Sequence, residues 1–294
     1  QEDALRILRA VRFAAQLGFT IEEATEEGMR KLAPTLQNIS AERIQAELVK
    51  MLVSPRPDML RTAYDLGITK EFLPEFDRLM VTEQETPHHM YNVGEHTLHA
   101  LMNIRADKVL RLTMLLHDMG KPDYKTVDAD GVAHFKKHAL KSEEIARTVL
   151  RRLKFDNDTI HKVTKLVLYH DYRMPATARN VRRAMNKIGK ELFPLYLEVR
   201  RADMLAQSDY LREEKLRNID ETAELYREIL QKGQCVTLKE LAVTGSDLIA
   251  AGMKPGKELG RILEYFLEVV MEEPDRNTKE ELLKLLEEQR QNLK

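Results

Sequence analysis

Four histidines and two aspartates in this 294-residue chain are of the types that hold a divalent ion: His96, the adjacent pair His117-Asp118, His138, His170 and Asp203. The pair follows the apolar run Leu112-Thr113-Met114-Leu115-Leu116 and precedes Met119-Gly120-Lys121-Pro122. Burying a histidine and an aspartate unpaired at the end of such a helix is costly. Metal binding supplies a reason, because a neutral imidazole nitrogen and a carboxylate oxygen are both ligands for divalent ions. An N/O set of this kind admits Mg, Mn, Fe, Ni, Co or Zn. Lys121 stands where it either contacts a phosphate or sits as a solvated charge at a helix C-terminus. All nine histidines fall between His88 and His170. His89 is read as lining the same site, His99 and His161 as structural, and His88 and His134 have no assigned role.

These residues need a helical frame, and the composition provides one. Twelve glycines and ten prolines, no tryptophan, 6% aromatic and 32% charged residues argue for an all-α chain of packed bundles. Each candidate ligand stands on a separate expected helix, apart from the His117-Asp118 pair, so a bundle can aim them at one point. Residues 3–17 form a helix with one packed face, closed at Gly18. Thr20 with Glu23 reads as a capping box for the next helix, and Ser40 as the cap of a third. A further helix spans Leu60 to Leu66. Asp130-Gly131, between short β-prone runs, predicts a small hairpin near 124–135. Long helices resume at Ser142. The last unit opens at the Thr237/Glu240 capping box, runs through a stripe from Leu259 to Val270, and closes with a helix capped by Thr278 and Glu281.

The single cysteine, Cys235, excludes a disulfide scaffold and a cysteine zinc site, and suits a reducing cytoplasm. No apolar run approaches the ~18 residues of a membrane span, so no membrane partner is expected. Net charge is −1, yet residues 141–201 carry 15 Lys/Arg against 7 Asp/Glu. That local excess reads either as a phosphate-tracking face or as a solvated surface of interspersed ion pairs.

The order His96, His117-Asp118, Asp203 resembles the signature of the HD-domain superfamily of metal-dependent phosphohydrolases. His138 and His170 match the extra histidines of members that hold a second ion. The resemblance implies a divalent-metal site with Asp118 between two ions, and catalytic roles for His117, Asp118 and Lys121.

The opening stretch Glu2-Asp3-Ala4-Leu5-Arg6-Ile7-Leu8-Arg9-Ala10-Val11-Arg12-Phe13-Ala14-Ala15 resembles the neck of class II tRNA nucleotidyltransferases, the family of bacterial CCA-adding enzymes and poly(A) polymerases. That resemblance makes Asp3 and Arg6, one turn apart, the pair that reads the incoming base. A carboxylate offers only acceptors and a guanidinium only donors, which suits the edges of cytosine and adenine. Taken alone, the pair reads as an i,i+3 surface ion pair. Ile39 to Ile44 and Phe72-Leu73-Pro74-Glu75 resemble the family's RNA-binding body. Gly245 to Gly260, with Lys254 and Lys257, resembles the tail of members with an internal HD domain.

These likenesses imply neck and body at 1–85, an HD domain at 86–215 and a tRNA-binding tail at 216–294. They further imply the acceptor/TΨC arm of tRNA as partner, with CTP and ATP as substrates of the full-length enzyme. The family's strand-rich head, with its Gly-Ser and magnesium-holding Asp-x-Asp, has no counterpart: Gly245-Ser246 lies far downstream and Asp128-Ala129-Asp130 falls in the expected hairpin. The start at Gln1, without Met and inside a helix, fits a head attached upstream. A phosphohydrolase acting on 2′,3′-cyclic phosphates or nucleotides through the HD site is the alternative reading.

Overall fold

A computed structural model describes the backbone of residues 2–86 and 90–292, and the side chains of 4–86 and 90–289. His88, His89 and the Asp3 side chain therefore lie outside the described set. In chain order the helices are α1 (Glu2–Leu17), α2 (Glu23–Leu32), α3 (Ala41–Leu52), α4 (Leu60–Asp65), α5 (Thr69–Phe72), α6 (Pro74–Met80), α7 (Val93–Met102), α8 (Lys108–Leu116) and α9 (Lys121–Tyr124). The hairpin strands β1 (Thr126–Val127) and β2 (Ala133–His134) follow, pairing Thr126 with His134 and Val127 with Ala133. After them come α10 (His138–Arg152), α11 (Asn157–Tyr169), α12 (Ala178–Ile188), α13 (Phe193–Leu205), α14 (Arg212–Gln231), α15 (Gly245–Ala250), α16 (Lys257–Glu272) and α17 (Lys279–Asn292). The fold is all-α but for that hairpin, as the composition implies.

Two compact units are present: residues 1–172 with 194–216, and residues 173–193 with 217–294. In the first, α1 turns Leu5, Leu8, Val11 and Ala15 onto Leu48, Met51 and Leu52 of α3. The same apolar core continues without a seam through Leu101 of α7, Leu112 and Leu116 of α8, Val149 of α10 and Val163 of α11, to Val199 and Ala202 of α13. In the second unit, Leu248, Phe266, Val270, Leu282 and Leu286 form a separate core. There Arg182, buried in α12, donates to the carbonyls of Met271 (2.8 Å) and Glu272 (3.2 Å), satisfying the negative end of α16.

Three local expectations are corrected. No Thr20/Glu23 capping box forms; α2 starts at Glu23 behind an extended Glu22, and Glu23 and Glu26 complement its N-terminal dipole instead. Ser40 does occupy the N-cap of α3, but its side chain makes no capping bond. Helix α10 begins at His138, four residues before Ser142, because Lys137 adopts a left-handed turn (φ 69°) that leads straight into it. The Ser142 hydroxyl is used elsewhere, accepting from the Gly120 N–H at 2.9 Å.

The N-cap of α11 is a side-chain cap. Asp156 accepts from the Thr159 N–H (2.8 Å) and hydroxyl (2.7 Å), and these bonds pull its pKa down to about 2. Asp156→Ala costs ~1 kcal/mol, the ordinary value of an N-cap. A carboxylate with a depressed folded-state pKa stabilises above its unfolded pKa and loses that contribution as pH falls through the folded value. The urea midpoints of wild type and Asp156→Ala therefore differ at pH 7 and converge as pH drops from about 4 to 2.

Candidate functional site

Five elements converge on one buried point of the first unit. Asn92 N-caps α7, accepting from Glu95 N–H at 2.8 Å, and so starts the helix that carries His96. Asp107 N-caps α8 in the same way, and its apolar run ends on His117 and Asp118. His138 is the first residue of α10, His170 caps the C-terminus of α11, and Asp203 sits in the last turn of α13. His96, His117, Asp118, His138 and His170 are all buried.

The imidazoles are oriented by backbone. His117, His138 and His170 each donate Nδ1–H to the carbonyl three residues earlier, those of Met114 (2.6 Å), Phe135 (2.7 Å) and Val167 (2.7 Å). Since a carbonyl only accepts, the proton belongs on Nδ1 and the Nε2 atoms point inward. His96 faces acceptors on both sides, Ala206 O at 3.3 Å and Asp203 Oδ1 at 2.9 Å. Nε2 of His96 lies 3.3 Å from that of His117, and Nε2 of His138 lies 3.1 Å from that of His170.

Asp118 stands between the two pairs. Its Oδ2 is 3.2 Å from His117 Nε2 and 3.7 Å from His96 Nε2; its Oδ1 is 3.3 Å from His138 Nε2 and 3.5 Å from His170 Nε2. Neither oxygen accepts a well-formed hydrogen bond although both are buried. Two groupings of cation-ligand geometry result, His96–His117–Asp118 and Asp118–His138–His170, and Asp118 belongs to both. Imidazole nitrogens that face each other in pairs across one buried carboxylate, with the Lys121 ammonium as its ion-pair partner, are a donor set that a cation would satisfy.

Charge at this point is concentrated. Burial pulls the His117 pKa down, but Asp118 and Asp203 more than reverse that and raise it to about 10. Burial likewise opposes ionisation of both carboxylates. His117 and Lys121 nevertheless hold Asp118, and His117 and His96 hold Asp203, well below the usual carboxylate range. Lys121 is buried, not solvated, with Nζ 2.7 Å from Asp118 Oδ2.

Two residues at the site carry no signal that residue type alone would raise. Gln207 donates to Asp203 Oδ2 at 3.0 Å and accepts from Lys215 at 3.2 Å. Its spacing four residues after Asp203 was the available clue. Gln84 accepts from Lys121 at 2.6 Å across 37 residues of sequence, where no periodicity reaches. The remaining described histidines stand apart from the cluster. His134 pairs with Asp128 in the hairpin at 2.7 Å, His99 stacks on Tyr91 at 4.2 Å, and His161 is exposed on α11.

Arg6 is exposed on α1. Next to it the charged arc is tied down: Glu47, buried in α3, takes Arg12 at 2.8 Å and Arg9 at 3.6 Å. Residues 141–201 are laced with ion pairs, and four carboxylates from outside that span offset half of its excess of eight positive charges. Arg152 pairs with Glu75 at 2.7 Å, Lys162 with Asp158 at 2.6 Å and Arg183 with Glu268 at 2.8 Å. Arg147, Arg179 and Lys190 pair with Glu143, Glu272 and Glu240. The ion-paired reading of this stretch is the one the geometry favours. Lys254 and Lys257 of the tail are exposed. No helix among the described residues is long and apolar enough to cross a membrane.

A family model described as "tRNA nucleotidyltransferase domain 2" matches residues 133–286, and one described as "RNA and SrmB-binding site of polymerase A" matches residues 18–80. A CC-adding tRNA nucleotidyltransferase of Thermus thermophilus is 33% identical over 92% of this chain and 63% of its own length. An A-adding tRNA nucleotidyltransferase of Deinococcus radiodurans is 34% identical over 68% of the chain and 49% of its own length. The crystal structure of the Bacillus stearothermophilus CCA-adding enzyme in complex with CTP shares the fold, with a TM-score of 0.66 at 22% identity over 99% of this chain and 62% of that one. The chain thus spans roughly half to two-thirds of these relatives. With one domain model of the family matched over more than half its residues and an RNA-binding model matched ahead of it, the chain belongs to the tRNA nucleotidyltransferase family.

Proposed function

We propose that this chain is the C-terminal, tRNA-binding and base-selecting part of a tRNA nucleotidyltransferase that builds or repairs the tRNA 3′-terminal CCA from CTP and ATP, with a metal-dependent phosphohydrolase site of the HD type inside it. The observation that carries the first half is the match of two family models in family order. Residues 1–85 would act as neck and RNA-binding body, 86–215 as the HD domain and 216–294 as the tail. Asp3 and Arg6, at the start of α1, would read the incoming base through complementary acceptors and donors. Contacts to the acceptor/TΨC arm of tRNA fall better to the body and to exposed Lys254 and Lys257 than to the ion-paired stretch 141–201. The purified chain binds tRNA in a gel shift but adds no CMP or AMP to tRNA lacking its 3′ end, because it has no Asp-x-Asp in the family's order. Radiolabel incorporation by this chain alone overturns that reading.

For the second half, His96, His117, Asp118 and Asp203 would hold one divalent ion, and Asp118, His138 and His170 another. Bound there, such ions lower the pKa of water and offset charge growing on a phosphate. The backbone carbonyls of Met114, Phe135 and Val167 hold the rings so that Nε2 faces the centre, and Gln207 orients Asp203. Lys121 would meet an anionic oxygen of substrate. A standalone phosphohydrolase on 2′,3′-cyclic phosphates is favoured over a purely RNA-binding role by one feature, the buried Asp118 carboxylate shared by two imidazole pairs with cation-ligand spacing. Elemental analysis finds up to two divalent ions per chain. At a hundredfold excess over Kd each stabilises the fold by ~2.7 kcal/mol, lost on chelation. A protein that carries no metal and whose Tm is unmoved by Mn, Ni, Co or Mg refutes the metal site.

A further inference from the structure

Lys121 is held in a way that a residue merely waiting for substrate would not need. It opens the short helix α9 directly after Gly120, and its side chain is 7% exposed. Among the described residues the ammonium has three neighbours. Asp118 Oδ2 is 2.7 Å away, Gln84 Oε1 accepts at 2.6 Å, and the Phe135 ring centroid lies 5.3 Å off. Gln84 is itself buried and anchored, donating through Nε2 to the Tyr91 carbonyl at 3.2 Å. Phe135 is fixed too, since its carbonyl accepts both the His138 backbone N–H (3.1 Å) and the His138 ring. The ammonium is therefore caged by an amide oxygen, a ring face and a carboxylate, with little route to water.

The carboxylate oxygen it takes is Oδ2, the one turned toward His96 and His117; Oδ1 is left to His138 and His170. A divalent ion held by His96, His117 and Asp118 and the ammonium of Lys121 thus draw on the same oxygen. Like charges that share one buried oxygen oppose each other strongly. A divalent ion brings two positive charges to a cluster in which the Lys121 amine already occupies Asp118 Oδ2. A second becomes favourable when an anion arrives with it.

We propose that Lys121 is the built-in counter-cation of Asp118, caged by Gln84 and Phe135, which weakens the centre's hold on a divalent ion alone and couples its binding to that of a phosphate-class anion. The inference rests on the metal reading above. Its linkage is reciprocal: whatever factor phosphate adds to ion affinity, the ion adds to phosphate affinity.

The test uses the full chain and Mn alone, titrated calorimetrically with and without inorganic phosphate. Lys121→Met, an apolar replacement of similar length, binds Mn about tenfold more tightly than wild type, since one like charge has been removed from the shared oxygen. Phosphate tightens Mn binding in wild type and in Lys121→Arg, but not in Lys121→Met. Gln84→Leu keeps the charge and leaves the ammonium to Asp118, so it loosens Mn binding about tenfold, the lower end of what a lost outer-shell partner costs. Opposite signs from two neighbouring buried substitutions cannot both come from a damaged fold. Mn binding in wild type with Lys121→Met unchanged or weaker overturns the counter-cation and leaves the metal site standing. No Mn binding in wild type overturns both.

Discussion

Replacing Asp118 by alanine abolishes divalent-ion binding at both groupings in a single step. Loss of an outer-shell partner of a ligand already costs about 10–100-fold in affinity. Asp118 is more than that, being the one described residue common to the two ligand trios. Its removal takes Oδ2 from His96 and His117 and Oδ1 from His138 and His170 together. Affinity for Mn falls by more than the upper end of that range, and any hydrolysis of a cyclic phosphate falls with it. Asp203→Ala leaves Asp118, His138 and His170 intact, so it is expected to halve the metal content instead of abolishing it.

A second consequence is structural. Lys121 sits 2.7 Å from Asp118, and breaking a buried ion pair by removing one partner costs about 3–5 kcal/mol. The double variant Asp118→Ala/Lys121→Met recovers much of that stability while remaining unable to bind metal. Thermal unfolding of the two proteins alongside metal analysis separates the roles. Full metal content in Asp118→Ala defeats the assignment.

The residues of the cluster were legible in the sequence through their order, His96, His117-Asp118, His138, His170 and Asp203, which resembles the HD signature; residue type alone would leave each histidine a structural residue. Helix ends were legible where a side chain or a glycine does the work, as at Gly18 and Thr278, and were misread where backbone alone does it. Glu22 and Ser40 precede helices without capping through their side chains. Lys137 enters a left-handed turn that favours no lysine, and that turn starts α10 four residues earlier than the periodicity allows. Gln84 and the carbonyls of Met114, Phe135 and Val167 were invisible because orientation of a ring by a carbonyl leaves no mark on residue type. The charge excess at 141–201 misled for a related reason. Its neutralising partners Glu75, Glu240, Glu268 and Glu272 come from elsewhere in the chain, beyond the reach of any local count.

Gly120→Ala is expected to separate the two ligand trios. Its backbone is right-handed (φ −85°), so conformational freedom is not why glycine stands there. A Cβ would meet the His138 carbonyl oxygen at 2.5 Å, the Ser142 nitrogen at 2.6 Å and the Lys141 Cβ at 2.8 Å, all on the first turns of α10. None of these is the end of a flexible side chain, so the helix itself must move. The shift also breaks the bond from Gly120 N–H to the Ser142 hydroxyl. Overpacking of this kind costs ~1–3 kcal/mol. Because His138 is the first residue of α10, the displacement falls on the His138–His170 pair and spares His96, His117 and Asp203, which arrive on other helices. Gly120→Ala therefore unfolds at a lower urea concentration and keeps the ion held by His96, His117, Asp118 and Asp203 while losing the other. Gly131→Ala is the control. That glycine has φ +78° and nothing within 4 Å of a would-be Cβ, so alanine there costs about 1–2 kcal/mol of backbone strain and leaves metal content unchanged. Equal metal loss in both variants would show that the centre responds to general destabilisation and not to the seating of α10 on Gly120.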